Sequence, residues 1–283
     1  MTYQKASSVD AAAHALAGGA DASDAPDFAR RFGGIARLYG RAALERFRRS
    51  HVCVIGIGGV GSWAAEALAR SAVGRMTLID LDHIAESNVN RQVHALGEAF
   101  GKAKVLAMAE RIQAINPECD VAAIEEFVTE DNVDAMLGGG YDHVIDAIDH
   151  VRIKAAIIAF CRRRKIPLIT AGGAGGQTDP TRIQLADLSR TVHDPVLAKV
   201  RYLLRRRYGF PREPKKKFGV EAVFSTEPLT YPAEGGEVCQ EKPAMTRLDG
   251  LGCAGFGSSM CVTATFGLVA VSGALHRLAA EVG

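Results

Sequence analysis

Between residues 51 and 170, short apolar runs alternate with longer segments of helical periodicity, and this alternation restricts the fold more than any other feature of the chain. His51-Val52-Cys53-Val54-Ile55 reads as a buried strand, residues 60–73 as a helix and residues 75–80 as the next strand. A helix over 101–115 is stopped at Asn116-Pro117, because proline cannot continue it. Residues 121–125 read as a strand and 129–137 as a helix opened by a Thr129 cap. Residues 142–146, 151–164 and 166–170 follow as strand, helix and strand. The pattern predicts an α/β fold: a Rossmann-like, mostly parallel sheet with helices on both faces.

The rest of the chain extends this unit. Residues 182–188 and 220–225 read as further strands, 195–208 as a basic helix, and 226–252, with three prolines, as a long loop. An apolar terminal helix spans about 255–280. Residues 1–27 are rich in Ala, Asp, Ser and Gly and are expected to form a disordered leader. One domain is expected over 28–283, with a core at about 28–171 and a second part at about 172–283. Hydrophobic residues at 48% and charged residues at 23% exclude wholesale disorder, and a net charge of +2 supplies no global field. The six cysteines, at 53, 119, 161, 239, 253 and 261, include no C-x-x-C pair, so no zinc is expected. With no secretory signal read at the start, reduced thiols and a cytoplasmic location are expected.

Gly56-Ile57-Gly58-Gly59-Val60-Gly61 follows a strand and opens a helix. Glycines there permit a tight turn and let backbone N–H groups approach a phosphate at the positive end of the helix. Asp80 ends the next strand 19 residues after Gly61, where a carboxylate can hold a ribose. These features alone would suggest NAD. The polar segment that follows carries Asn88, Asn90, Arg91 and Gln92; Lys104 comes next, and Asp149 follows the fourth strand of the alternation. A dinucleotide needs no divalent metal, whereas three phosphates need cations and usually Mg²⁺, which prefers carboxylate oxygen. An Arg, a Lys and a metal-capable Asp at strand ends therefore suit ATP better. Taken singly, Asp149 also reads as a helix cap, Lys104 as a solvated charge, Arg91 as a surface ion pair, and Asp82 and Asn88 as turn residues.

The joint occurrence of G-x-G-G-x-G, D-x-D…S-N-x-N-R-Q, the spaced lysine and the later Asp resembles the adenylation domain of the ubiquitin-activating-enzyme superfamily. The resemblance implies that Asp80 binds ribose, that Asn90, Arg91 and Gln92 form a polar clamp with Arg91 facing the phosphates, and that Lys104 neutralises the triphosphate; Asn88 is counted with the glycines among the nucleotide-binding residues. It also implies Asp149 as the Mg²⁺ ligand, a homodimer, and an arginine lent by the partner subunit. Arg37 is the candidate for that arginine, with Arg31 competing. The catalytic set is accordingly Arg37, Arg91, Lys104 and Asp149.

From residue 28 onward the chain resembles the tRNA threonylcarbamoyladenosine dehydratase branch of that superfamily. The resemblance rests on Arg31-Phe32-Gly33-Gly34, Arg37-Leu38-Tyr39-Gly40, Gly172-Gly173-Ala174-Gly175-Gly176-Gln177 and Val223-Phe224-Ser225-Thr226-Glu227, among other runs. It implies adenylation of a carboxylate next to the anticodon, then ring closure to cyclic threonylcarbamoyladenosine. The loop at 172–177 would contact the acyl-adenylate. Ring closure within one side chain needs no thioester, so a catalytic Cys239 is the lesser reading.

Residues 199–217 place nine basic side chains against Glu213 alone, with a second cluster at Arg162-Arg163-Arg164-Lys165. Such charge matches a polyanion, and Tyr202, Tyr208, Phe210 and Phe218 are candidates to stack on exposed bases. Residues 253–275 carry no charged side chain, enough for a membrane span by length. Their many Gly, Ser and Thr residues favour a helix buried against the sheet or a second copy of the chain, and membrane insertion is not expected. Three other functions stay open: adenylation of a small ubiquitin-like sulfur carrier, nucleotide-dependent RNA binding without turnover, and, more distantly, NAD-dependent redox chemistry.

Overall fold

A computed structural model describes residues 27–213, 215–240 and 256–282. The expected leader, apart from Asp27, and Cys253 lie outside the described residues. Two helices precede the first strand: α1 (Phe28–Tyr39), capped by the Asp27 side chain, and α2 (Arg41–Arg49). A seven-stranded sheet follows. Its strands are β1 (His51–Ile55), β2 (Arg75–Ile79), β3 (Asp120–Ile124), β4 (His143–Asp146), β5 (Leu168–Ala171), β6 (Ile183–Asp187) and β7 (Glu221–Ser225), in the order β3-β2-β1-β4-β5-β7-β6. All neighbours pair in parallel except β6 and β7, as the alternation of strands and helices predicts.

The connecting helices are α3 (Gly61–Arg70), α4 (Lys104–Ile115), α5 (Val133–Leu137), α6 (Val151–Arg164) and α7 (Pro195–Arg207). Along β1 the side chains alternate: Val52 and Val54 join the core shared with α3 and α4, whereas Cys53 and Ile55 join the core shared with α5, α6 and α7. The predicted helix at 129–137 is shorter than expected. Thr129 and Asn132 do exchange a reciprocal pair of hydrogen bonds, Thr129 Oγ1 accepting from Asn132 N at 3.1 Å and Asn132 Oδ1 from Thr129 N at 2.7 Å. These bonds shape a turn, and regular helix begins only at Val133. The expected long loop contains a small hairpin, β8 (Tyr231–Pro232) and β9 (Val238–Cys239).

The last helix, α8 (Met260–Ala280), is long and apolar enough to cross a membrane by composition. In the fold it lies over the sheet on the α3 side, and Val262, Phe266, Ala270, Ala274 and Leu278 are fully buried there. Its small residues have a local reason. A Cβ at Gly267 would lie 2.5 Å from the Val60 carbonyl oxygen, and one at Gly273 would lie 2.7 Å from Leu185. Glycine thus lets α8 press directly against the segment that opens α3 and against the sheet.

Two histidines are sealed in this packing. Burial, aided by Lys104 and Arg111, lowers the His94 imidazole to about 4, and burial lowers His143 to about 3. Among the described residues the ring nitrogens of both lack a hydrogen-bond partner. Unfolded histidines gain protons as pH drops through about 6.5, and the folded ones refuse them, so stability falls as pH falls through that window. Urea unfolding at pH 7, 6 and 5 should show this loss, on the order of 2 kcal/mol per histidine at pH 5. His143→Gln should flatten the slope between pH 7 and 5, and an unchanged slope would assign the pH dependence to other groups.

Candidate active site

β1 is flanked by β2 on one side and β4 on the other, so the chain reverses its direction of winding at the β1–β4 pair. Connections leave to opposite faces there and open a crevice at the strand C-termini, the usual ligand position in such sheets. A cavity of about 630 Å³ occupies that position. Gly56, Gly58 and Gly59 form its floor, with Asp80, Arg91, Gln92 and Lys104 on one side and Ile148 and Asp149 on another.

The floor is shaped by close backbone approaches. Gly56 has φ +85°, a conformation that favours glycine, and a Cβ at Gly61 would lie 1.8 Å from the Gly56 carbonyl oxygen. Gly61 therefore closes the turn from beneath and does not itself line the cavity. The opening of α3 follows immediately, and first-turn N–H groups without helical partners suit a phosphate.

Asp80 is buried and ties the turn down. Its Oδ2 accepts from Ile57 N at 2.6 Å and its Oδ1 from Asp82 N at 2.8 Å. Burial raises its pKa, opposed by Lys104 and these two N–H groups. Lys104 is only 6% exposed and gives Nζ to Asp82 Oδ2 at 2.7 Å, so it is a fixed wall charge and not a solvated one. The Arg91 stem packs over Gly59, and its guanidinium is steadied by the Ser87 carbonyl and by Asn90 Oδ1. Gln92 and Thr263 are buried in the wall, and among the described residues Gln92 Oε1 and Thr263 Oγ1 have no hydrogen-bond partner, which makes them polar groups that a donor or acceptor on a bound molecule could satisfy.

Other predicted residues act at one remove. Asn88 lies outside the cavity wall; its Oδ1 accepts from Ala85 N at 3.0 Å, so it holds the turn that presents Arg91. Asn90 also lies outside and donates to the Ser258 carbonyl at 2.8 Å, tying the segment to the approach to α8. Asp149 does not cap α6; His150 takes that place through Nδ1. The exposed Asp149 carboxylate has no hydrogen bond or ion pair among the described residues. Mg²⁺ is held in many nucleotide sites by one or two carboxylates plus substrate phosphates, keeping its remaining waters. A lone carboxylate at the wall fits that donor set, although no group of three or more His, Cys, Asp or Glu side chains able to hold a metal forms among the described residues.

Arg37 sits on α1, exposed, unpaired among the described residues and outside the cavity. Arg31 is spent: its Nη1 donates to the Ala114 and Ile115 carbonyls at 3.1 and 2.7 Å, capping α4. Of the loop at 172–177, Gly172 and Gly173 reach the wall, whereas Gln177 is buried elsewhere. Cys239 lies on β9, outside the wall. Among the aromatic candidates for base stacking, Phe218 is instead core, 2% exposed, and Phe210 packs on it with ring centroids 5.1 Å apart. Tyr202 stays 57% exposed on α7.

Sequence reasoning missed the apolar side of the site. Phe127 and Val128 join Ile79 and Ile148 as a surface for a flat ring, and the only sequence signal for them was the Thr129 turn beside them. Val196, at the start of the basic helix α7, also touches the cavity. Gly61→Ala should cost about 1–3 kcal/mol, as overpacking does, and abolish the rise in Tm caused by ATP. Gly58→Ala, where a Cβ meets nothing within 4 Å, should leave the Tm of the free protein unchanged. Thermal unfolding with and without ATP distinguishes the two, and equal stability of the two variants would contradict the closed-turn account.

Comparison with known proteins places this geometry in a family. The ThiF family model matches residues 32–280. The tRNA threonylcarbamoyladenosine dehydratase of Escherichia coli K12 is 56% identical over 253 residues, covering 89% of this chain and 94% of that protein. Its Haemophilus influenzae counterpart is 53% identical with the same coverage. The crystal structure of the E. coli tRNA N6-threonylcarbamoyladenosine dehydratase in complex with ATP matches with a TM-score of 0.80 and 53% identity, covering 89% of this chain and 95% of that one. The chain therefore belongs to the ThiF family and, within it, to the tRNA threonylcarbamoyladenosine dehydratases.

Proposed function

We propose that this protein uses ATP to dehydrate threonylcarbamoyladenosine next to the anticodon of tRNA, giving the cyclic form, with AMP and pyrophosphate as by-products. The observation that carries the reading is the convergence of the glycine turn, Asp80, Arg91, Lys104 and Asp149 on one cavity, in a chain 56% identical to the E. coli dehydratase. A carboxylate is a poor electrophile because its leaving oxygen is a strong base. Its attack on the α-phosphorus of ATP gives an acyl-adenylate and expels pyrophosphate. The neighbouring carbamoyl group then attacks the activated carbonyl at high effective concentration and expels AMP, a net loss of water from the nucleoside.

Each side chain has a task in that reaction. The α3 N-terminus and the turn at 56–61 would seat phosphate, and Asp80, whose carboxylate holds the Ile57 and Asp82 N–H groups, would also accept from ribose. Lys104 and Arg91 stabilise charge that develops on the phosphates. Asp149 would hold Mg²⁺, which when bound supplies further neutralisation of the phosphate oxygens. Gly172 and Gly173, in the wall of the same cavity as Asp149, would face the acyl group. Helix α7 runs from the cavity wall at Val196 to Arg207, which bridges to Glu130 beside Thr129 of the same wall. Its basic side chains are thus placed to take tRNA phosphates while the modified base enters the crevice. Such an enzyme would work in the cytoplasm, with its tRNA.

Two copies of the chain would complete two sites. Arg37, outside the wall of its own cavity and without an ion pair among the described residues, would be the residue lent to the partner subunit, and Leu268, 48% exposed on α8, would meet the second copy.

Asp149→Ala should lower pyrophosphate release that depends on threonylcarbamoyl-modified tRNA by about 100-fold or more, with mass spectrometry of tRNA nucleosides showing no cyclic product. Release that needs a carrier protein ending in Gly-Gly, and not tRNA, would instead favour the sulfur-carrier reading. Arg37→Ala and Asp149→Ala chains, each inactive alone, should regain about a quarter of wild-type activity when co-refolded, because one site in each mixed dimer is intact. No recovery would place Arg37 outside the reaction.

A further inference from the structure

Among the described residues the Asp149 side chain has no hydrogen-bond or ion-pair partner, so the backbone between β4 and α6 sets its position. That backbone rests on a lysine that no sequence motif singled out. Lys154, on the second turn of α6, is fully buried, as is Asp146 at the end of β4. Lys154 Nζ donates to Asp146 Oδ2 at 2.9 Å, to the Asp146 carbonyl oxygen at 3.3 Å and to Thr170 Oγ1, on β5, at 3.1 Å. Thr170 Oγ1 in turn donates to Asp146 Oδ2 at 2.7 Å. The other carboxylate oxygen, Asp146 Oδ1, accepts from Ile148 N at 3.3 Å, inside the turn that ends on Asp149.

Removing two charges from water is costly, and replacing a buried ion pair with apolar residues is often neutral or stabilising. Stability alone is therefore a weak reason for this pair. Its position gives a better one. The ammonium joins the C-terminal ends of β4 and β5, whose outgoing backbones form two walls of the cavity: Ile148 and Asp149 after β4, Gly172 and Gly173 after β5. The second wall has its own anchor, Asp194, which caps α7 and accepts from Gly173 N at 2.9 Å.

We propose that Lys154 is a positioning residue for the reaction: through Asp146 and Thr170 it holds the Asp149 turn at the distance from the phosphate turn at which the carboxylate can share a divalent cation with ATP. The inference rests on the reading of Asp149 as the Mg²⁺ ligand and not on the identity of the tRNA substrate.

The test is isothermal titration of ATP into the full-length protein across a series of Mg²⁺ concentrations and in EDTA, with tRNA-dependent AMP formation measured separately. Lys154→Met should raise the Mg²⁺ concentration that half-saturates the gain in ATP affinity at least fivefold, leave ATP affinity in EDTA within twofold of wild type, and lower AMP formation at least tenfold. Lys154→Arg should recover most of each loss. Thr170→Val removes two hydrogen bonds from the network, the one accepted from Lys154 and the one donated to Asp146, leaves the ion pair itself in place, and should shift the Mg²⁺ requirement in the same direction by about twofold to threefold. A Mg²⁺ requirement within twofold of wild type in Lys154→Met overturns the proposal, as does an equal loss of ATP affinity with Mg²⁺ and in EDTA. Should Lys154→Met fail to fold, an unshifted Mg²⁺ requirement in Thr170→Val overturns it. If wild type binds Mg²⁺ and ATP as expected but forms no AMP with modified tRNA, the substrate assignment fails and the role of Lys154 stands.

Discussion

The buried carboxylate of Asp80 and the Ile57 N–H that it accepts at 2.6 Å join the end of β2 to the turn leaving β1. Without that bond the turn would have to satisfy the Ile57 amide in another way, and the residues after it would lose their relation to Asp80's side of the cavity. The neighbouring contact of Gly61 with the Gly56 carbonyl leaves no room for any side chain, so the turn has one compact form. The helix that follows then starts at a determined point, with its free N–H groups toward the crevice. Helix α8 backs the same segment, because Gly267 approaches the Val60 carbonyl where a larger residue would hold the two apart.

Charges in this molecule divide by depth. Beside the cavity, Lys104 lies against Asp82 and Lys154 against Asp146, each with its carboxylate at hydrogen-bond distance. Both lysines are buried, as is Asp146, while Asp82 reaches Lys104 from the exposed side; an ion or phosphate that enters meets ammonium groups already in place. At the surface, by contrast, the basic side chains of α7 stand on exposed or half-buried positions, where they contribute little to stability and much to the local field. The first set suits selection of a small, highly charged ligand; the second suits a long polyanion whose phosphates repeat along its backbone.

How much of this was legible in advance depended on whether a residue's task is local. Gly56, Gly58, Gly59, Asp80 and Asp149 were readable because strand–turn–helix units place them at or just after strand ends, and Arg91, Gln92 and Lys104 because they complete a motif that resembles a known family; all eight line the cavity. Asn88 and Asn90 belong to the same polar run, yet their amides hold backbone on either side of Arg91; spacing cannot separate a residue that touches a ligand from one that shapes the loop presenting it. Phe218 looked available to a base and is core, since hydrophobic residues in a basic run are read as exposed until the chain is seen to fold back over α6. Thr129 was recognised as a cap, but the length of its helix was not, because reciprocal capping bonds stabilise a single turn as readily as a helix.

Periodicity and the glycine turn were sufficient by themselves to determine a parallel α/β sheet and the strand end that carries the phosphate turn, because each follows from bonding between near neighbours in the chain; the basic residues facing that turn were legible only through the motif's resemblance to a known family. Only the tertiary structure decided that β4 pairs with β1, that α8 covers the sheet, and that Lys154 is buried among Asp146 and Thr170. Those outcomes join segments far apart in sequence, and their energies come from excluding water between surfaces that do not exist until the chain has folded.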